Sequence, residues 1–135
     1  MEKSFELLGI DHVTLVVENL ERSREFYCDV LGMEHVERPD FGFDGLWFQA
    51  GSTQVHLIRH FGDDCADSGY PNVSDATRAG VAHHFAFEVN DAHQAAEVLK
   101  ARGVKIMGGP VSRPDGPIQM WFYDPDGHVV EVFHR

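Results

Sequence analysis

The amino-acid sequence predicts an α+β fold: two βαβββ modules whose eight strands form a curved sheet around a central trough, with the helices outside. Three observations predict it. Residues 9–17 and 82–89 are strands of one design, with Val13, Leu15 and Val17 alternating against His12, Thr14 and Val16, and Phe85, Phe87 and Val89 against His84, Ala86 and Glu88. A capped helical pattern follows each strand and ends at a glycine, Gly32 in one case and Gly103 in the other. The two histidines lie roughly 72 positions apart and the two glycines roughly 71, a period over which the whole element order recurs. Residues 1–135 therefore read as one domain of two repeated modules, about 8–60 and 81–135.

In the first module Asn19 caps a helix over 20–31, where Phe26/Val30 and Tyr27/Leu31 are apolar pairs four residues apart. Short strands follow at 33–38, 46–50 and 54–58, separated by a turn-rich stretch at 39–45 and a tight turn at Gly51 and Ser52. Residues 61–80 are rich in Gly, Asp, Ser, Pro and Asn without periodicity, and read as the connection between modules and a rim of the site. The second module repeats the order. Its strand precedes a helix capped by Asp91 with Gln94 three residues on, and strands at 104–107 continuing near 111–112, at 118–123 and at 128–134 complete it.

With 11 Lys and Arg against 22 Asp and Glu, the net charge of −11 argues against a nucleic-acid or anionic-membrane partner. Cys28 and Cys65 are too few and too scattered for a disulfide framework or a Cys-based zinc site, so a reducing cytoplasm is the expected setting. No segment approaches the roughly 18 apolar residues of a membrane span, and the first residues have no leader pattern.

Strand alternation turns His12 and His84 into the trough. The last strand of each module adds His56 and Glu131, which are roughly 75 positions apart and equivalent within the repeat. Any one of these histidines alone reads as a hydrogen-bonded core residue. The symmetry of the set favours a metal: three imidazoles and a carboxylate suit Zn, Ni, Fe, Mn or Co as a divalent cation. Of the other histidines, His60 alternates toward the trough mouth, whereas His35, His83, His93, His128 and His134 read as packing or surface groups. One of Trp47/Phe48 and one of Trp121/Phe122 should face inward and wall the site, while Phe41 and Phe43 read as loop anchors or dimer contacts.

The text Ile10-Asp11-His12-Val13, Ser23-Arg24-Glu25-Phe26-Tyr27 through Leu31-Gly32, His84-Phe85-Ala86-Phe87, and Asp124-Pro125-Asp126-Gly127-His128-Val129-Val130-Glu131 resembles the vicinal oxygen chelate superfamily over nearly the whole chain. That superfamily includes glyoxalase I, bleomycin resistance proteins, methylmalonyl-CoA epimerase and extradiol dioxygenases. The resemblance implies metal ligation at His12, His84 and Glu131, with His56 at the place where glyoxalase I has Glu. It implies a small substrate chelated through two oxygens, Glu131 as both ligand and general base, and a homodimer. Two positions depart from familiar members. Val16 stands where glyoxalase I commonly carries an Arg for glutathione, and Trp121 stands where the dioxygenases carry a Tyr. A glyoxalase-like lyase or isomerase is the leading expectation, with an Fe(II) extradiol-type dioxygenase and a non-catalytic drug- or metabolite-binding protein as alternatives.

Overall fold

A computed structural model describes residues 8–59 and 84–135. The predicted connection at 61–80, with Cys65, His60 and His83, lies outside the described residues. Two four-stranded mixed sheets form the scaffold, in the α+β arrangement that the repeat predicts. In the first sheet β1 (His12–Val17), β2 (Glu34–Val36), β3 (Gly45–Ala50) and β4 (Thr53–Arg59) lie in the order β1-β4-β3-β2. The second repeats that topology: β5 (His84–Glu88), β6 (Ile106–Ser112), β7 (Ile118–Tyr123) and β8 (Val129–His134) lie in the order β5-β8-β7-β6. In each sheet the first strand pairs parallel to the last and occupies an edge. The second strand of module one is shorter than the 33–38 expected, and β6 is continuous through Met107 to Val111 because register shifts absorb Gly108 and Gly109.

Helix α1 (Leu20–Arg24) begins where Asn19 accepts from the Arg22 backbone N–H at 3.0 Å, and continues as a π-helical stretch over Glu25–Val30. That wider winding, closed by Leu31 N–H to Phe26 C=O at 3.0 Å, is not visible as four-residue spacing, and it lets the adjacent Phe26 and Tyr27 both be buried. Gly32, at φ +79°, ends the helix as predicted. Helix α2 (Ala92–Ala101) starts at Asp91, whose carboxylate accepts from the His93 and Gln94 backbones, and buries Ala92, Ala96 and Leu99.

The helices cover the face of each sheet opposite the predicted ligands, yet the first helical segment lies between the two sheets of the chain and not on the outside. Tyr27 stacks on Phe48 of β3 at 5.8 Å between ring centroids, while Phe26 meets Phe122 of β7 at 6.3 Å. A single buried cluster therefore joins Val17, Val55 and Leu57 to Leu99, Met120, Val130 and Val132. Two polar devices cross the same seam. Asp126 accepts from the Arg22 guanidinium and the Glu18 backbone, and the His128 imidazole donates to the Val16 carbonyl at 2.8 Å.

Asp124 anchors this seam. Its carboxylate accepts from the Tyr27 hydroxyl at 2.8 Å and from the Asp126 and His128 backbones at 2.9 and 2.8 Å, which fixes the turn leading into β8. Burial holds its pKa above the ordinary aspartate value. A raised folded-state pKa means that the unfolded chain releases this proton first as pH rises. The stabilisation is full below an unfolded pKa of about 4 and is lost as pH climbs through the folded value. Urea unfolding across that range is expected to show the stability gap between wild type and Asp124→Asn shrinking as pH rises. A gap that widens would mean the ionised form is the one preferred.

Candidate functional site

In module one the parallel register pairs His12 with Gln54 and Thr14 with His56, so the two histidines share a face two residues out of step. Their rings stack with centroids 3.9 Å apart, and Trp47, paired with His56 across β3 and β4, stacks on its other side at 4.0 Å. Sandwiched in this way His56 is buried, and desolvation followed by repulsion from His12 lowers its pKa, favouring the neutral imidazole a metal requires.

A run of side-chain amides fixes the tautomer of that imidazole. The Gly51 carbonyl can only accept, so Gln49 turns its Nε2 toward it at 2.6 Å and leaves Oε1 to accept from Gln54 Nε2 at 2.8 Å. Gln54 Oε1 must then accept from His56 Nε2–H at 2.7 Å, so the free lone pair of His56 is on Nδ1. His12 is oriented in the opposite sense. Its Nδ1–H donates to Asp11 at 2.8 Å and leaves Nε2 for a ligand, the carboxylate–imidazole pairing that commonly supports metal histidines.

Module two carries the equivalent half. His84 pairs with Val129 and Ala86 with Glu131, the same two-residue offset as His12 and His56. Glu131 is buried, and its Oε1 accepts from Gln119 Nε2 at 2.7 Å. Trp121 pairs with Glu131 across β7 and β8 and so shares its face. Alternation thus places Trp47 and Trp121 on the ligand faces and Phe48 and Phe122 in the core, which resolves the two aromatic pairs.

The four predicted ligands fall on two faces, His12 in contact with His56 on one and His84 sharing the other with Glu131. Because α1 lies between Phe48 and Phe122, the faces bearing His56 and Glu131 are turned away from each other within one chain, and among the described residues no three His, Cys, Asp or Glu side chains converge on a metal position. The donor chemistry fits a divalent cation, while one chain offers two donors to each face. A cavity of about 1010 Å³ beside β5 does not alter this, since its walls include the core-facing Val13, Val55, Phe85 and Phe87, and His84 is the only predicted ligand that lines it.

The remaining described histidines have structural work. His35 packs on Phe48, His128 bonds the Val16 carbonyl, and His134 accepts from the Ala92 backbone next to His93. Gln49, Gln54 and Gln119 carry no local sequence signal that marks them as orienting groups.

A family model described as the glyoxalase/bleomycin resistance protein/dioxygenase superfamily matches residues 9–132. The chain belongs to that superfamily. Among superfamily relatives, it is similar to a lactoylglutathione lyase of Neisseria meningitidis, with 31% identity over 92% of this chain and 88% of the relative. A mitochondrial methylmalonyl-CoA epimerase of Bos taurus is 31% identical over 73% of this chain, which spans 56% of that longer protein. A crystal structure of a glyoxalase-family protein from Bacillus anthracis superimposes with a TM-score of 0.75 at 25% identity, covering 100% of this chain and 99% of that one. An antibiotic-binding protein from Streptomyces sp. CB03234 shares the fold at 19% identity and a TM-score of 0.72, over 96% and 98% of the two chains. Relatives of this chain thus include a lyase and an epimerase, and the same fold occurs in an antibiotic-binding protein.

Proposed function

We propose that this protein is a divalent-metal-dependent lyase or isomerase, a cytoplasmic homodimer whose two metal sites each combine His12 and His56 of one copy with His84 and Glu131 of the other. The observation that carries this is the matched register of the two half-sites, each on a ligand-bearing face that includes an edge strand of its sheet among the described residues. Isologous pairing of two copies brings a β1 edge of one to a β5 edge of the other, twice. The similarity to both a lyase and an epimerase supports proton transfer as the shared chemistry, since both reactions move a proton on carbon.

When bound, the cation supplies Lewis acidity toward two adjacent substrate oxygens. The chain's own residues do the rest. Glu131 takes the proton from the substrate carbon, and Gln119, donating to Oε1, holds its carboxylate in place. Asp11 and the amide run through Gln54 hold His12 and His56 in fixed tautomers, and Trp47 and Trp121 exclude water from the two halves.

Metal analysis of tag-free protein tests the proposal. One divalent cation per chain is expected in wild type, with loss in His12→Ala and in Glu131→Ala. Protein that holds no stoichiometric cation, and whose thermal midpoint is unmoved by Zn, Ni, Mn, Fe or Co, would refute it. Catechol-dependent O₂ uptake after anaerobic purification would instead identify the dioxygenase alternative.

A further inference from the structure

We infer that Arg38 is the anion-recognition residue of this site, and that the substrate carries a carboxylate on an apolar, flat body. The inference rests on the ligand face proposed above. Contacts place Arg38 beside that face: β2 ends at Val36, opposite Trp47, and two residues later the Arg38 guanidinium lies on Phe41, whose ring meets Trp47, which shares the face of His56. Gly45, which pairs with Ile58, lies beneath it: a Cβ there would strike the Leu57 carbonyl first and would come within 2.9 Å of Arg38 Nε, so the backbone requires the glycine and the guanidinium lies against β3 at the same place.

The surroundings of Arg38 suit a ligand better than a structural ion pair. Its guanidinium carbon sits 4.9 Å from the ring centroids of both Phe41 and Phe43, and one Nη1 donates to the Phe43 carbonyl at 3.1 Å. No carboxylate among the described residues pairs with it, although the chain carries twice as many acidic as basic residues. A partly buried guanidinium held by stacking and one carbonyl retains most of its five donors, in the planar fork that matches a carboxylate. A phosphate dianion would call for further cations, and among the described residues Arg38 is the only cation that stacks on Phe41 or Phe43.

A continuous aromatic surface connects this cation to the ligand pair. Phe41 stacks on Phe43 and leans on Trp47 at 6.0 Å, and Trp47 covers His56. Half of Phe41 is exposed, which leaves a π-surface for the substrate body. Phe41 and Phe43, expected from the sequence as loop anchors, thereby become one wall of the site.

The test uses 3-phenylpropionate and its neutral analogue 3-phenylpropanamide, titrated into Trp121→Phe protein so that Trp47 is the sole tryptophan reporter, both as isolated and after chelator treatment. The acid is expected to bind about tenfold more tightly than the amide, about 1.4 kcal/mol. Arg38→Gln should erase that difference by weakening the acid alone, and Arg38→Lys should restore part of it. Equal affinity for acid and amide in the wild-type Arg38 background, no saturable response to the acid, or equal weakening of both probes by Arg38→Gln would overturn the inference. Chelator-treated protein separates the two proposals. The Arg38-dependent preference survives there if the inference holds, whatever the metal analysis gives, and a stoichiometric metal without any acid preference overturns Arg38 alone.

Discussion

Phe122→Ala is expected to destabilise the protein by about 3–5 kcal/mol, a large share of the roughly 5–15 kcal/mol that holds a typical domain folded. Phe122 has no exposed surface and meets the Phe26 ring on α1, in the same cluster that holds Tyr27 against Phe48 on the opposing sheet. Removing it leaves a void at the seam between modules, bounded by two sheets that cannot both close in, so the cost should sit at the upper end of large-to-small changes. Its neighbour gives the control. Trp121 is partly exposed on the ligand face, so Trp121→Ala should cost markedly less stability while perturbing the half-site of Glu131. Denaturant unfolding of the two variants reads both effects. If Trp121→Ala were the more destabilising, the assignment of faces in β7 would be wrong.

That contrast also marks how far the sequence reaches. Alternation alone identifies which strand residues share a face, because the side-chain period in a strand is two, and it correctly groups His12 with Thr14, and Phe85 with Phe87 and Val89. The repeat identifies His56 and Glu131 as equivalent, and the observed registers are offset identically in the two sheets. Neither signal says which face of one module meets which face of the other. That choice depends on the shape of α1, where the π-helical stretch brings Phe26 and Tyr27 to bear on two different sheets, a property of backbone winding that the i,i+4 pairs do not encode. Arg38 is not legible as a site residue for a related reason: its place is set by Phe41 and Phe43, which in isolation read as loop anchors.

Mixing two inactive variants is expected to restore activity, and this is the sharpest consequence of half-sites that face apart. In a homodimer that pairs His12 and His56 of one copy with His84 and Glu131 of the other, His12→Ala alone disables both sites, and so does Glu131→Ala. A heterodimer of the two places both lesions in one site and leaves the other with all four native side chains. Random pairing on co-expression with distinct tags makes half of the dimers mixed, so about a quarter of wild-type sites should recover. Metal bound per chain should rise in step, which supplies a readout that needs no knowledge of the substrate. Co-expressing His12→Ala with His56→Ala provides the opposite case: both lesions lie in the same half, every site keeps one of them, and no recovery is expected. A closed site within each chain predicts no recovery from either mixture, because exchanging partners would then exchange nothing that the metal touches. Recovery from the first mixture and silence from the second would locate the metal between copies, on the two faces that α1 holds apart in each chain.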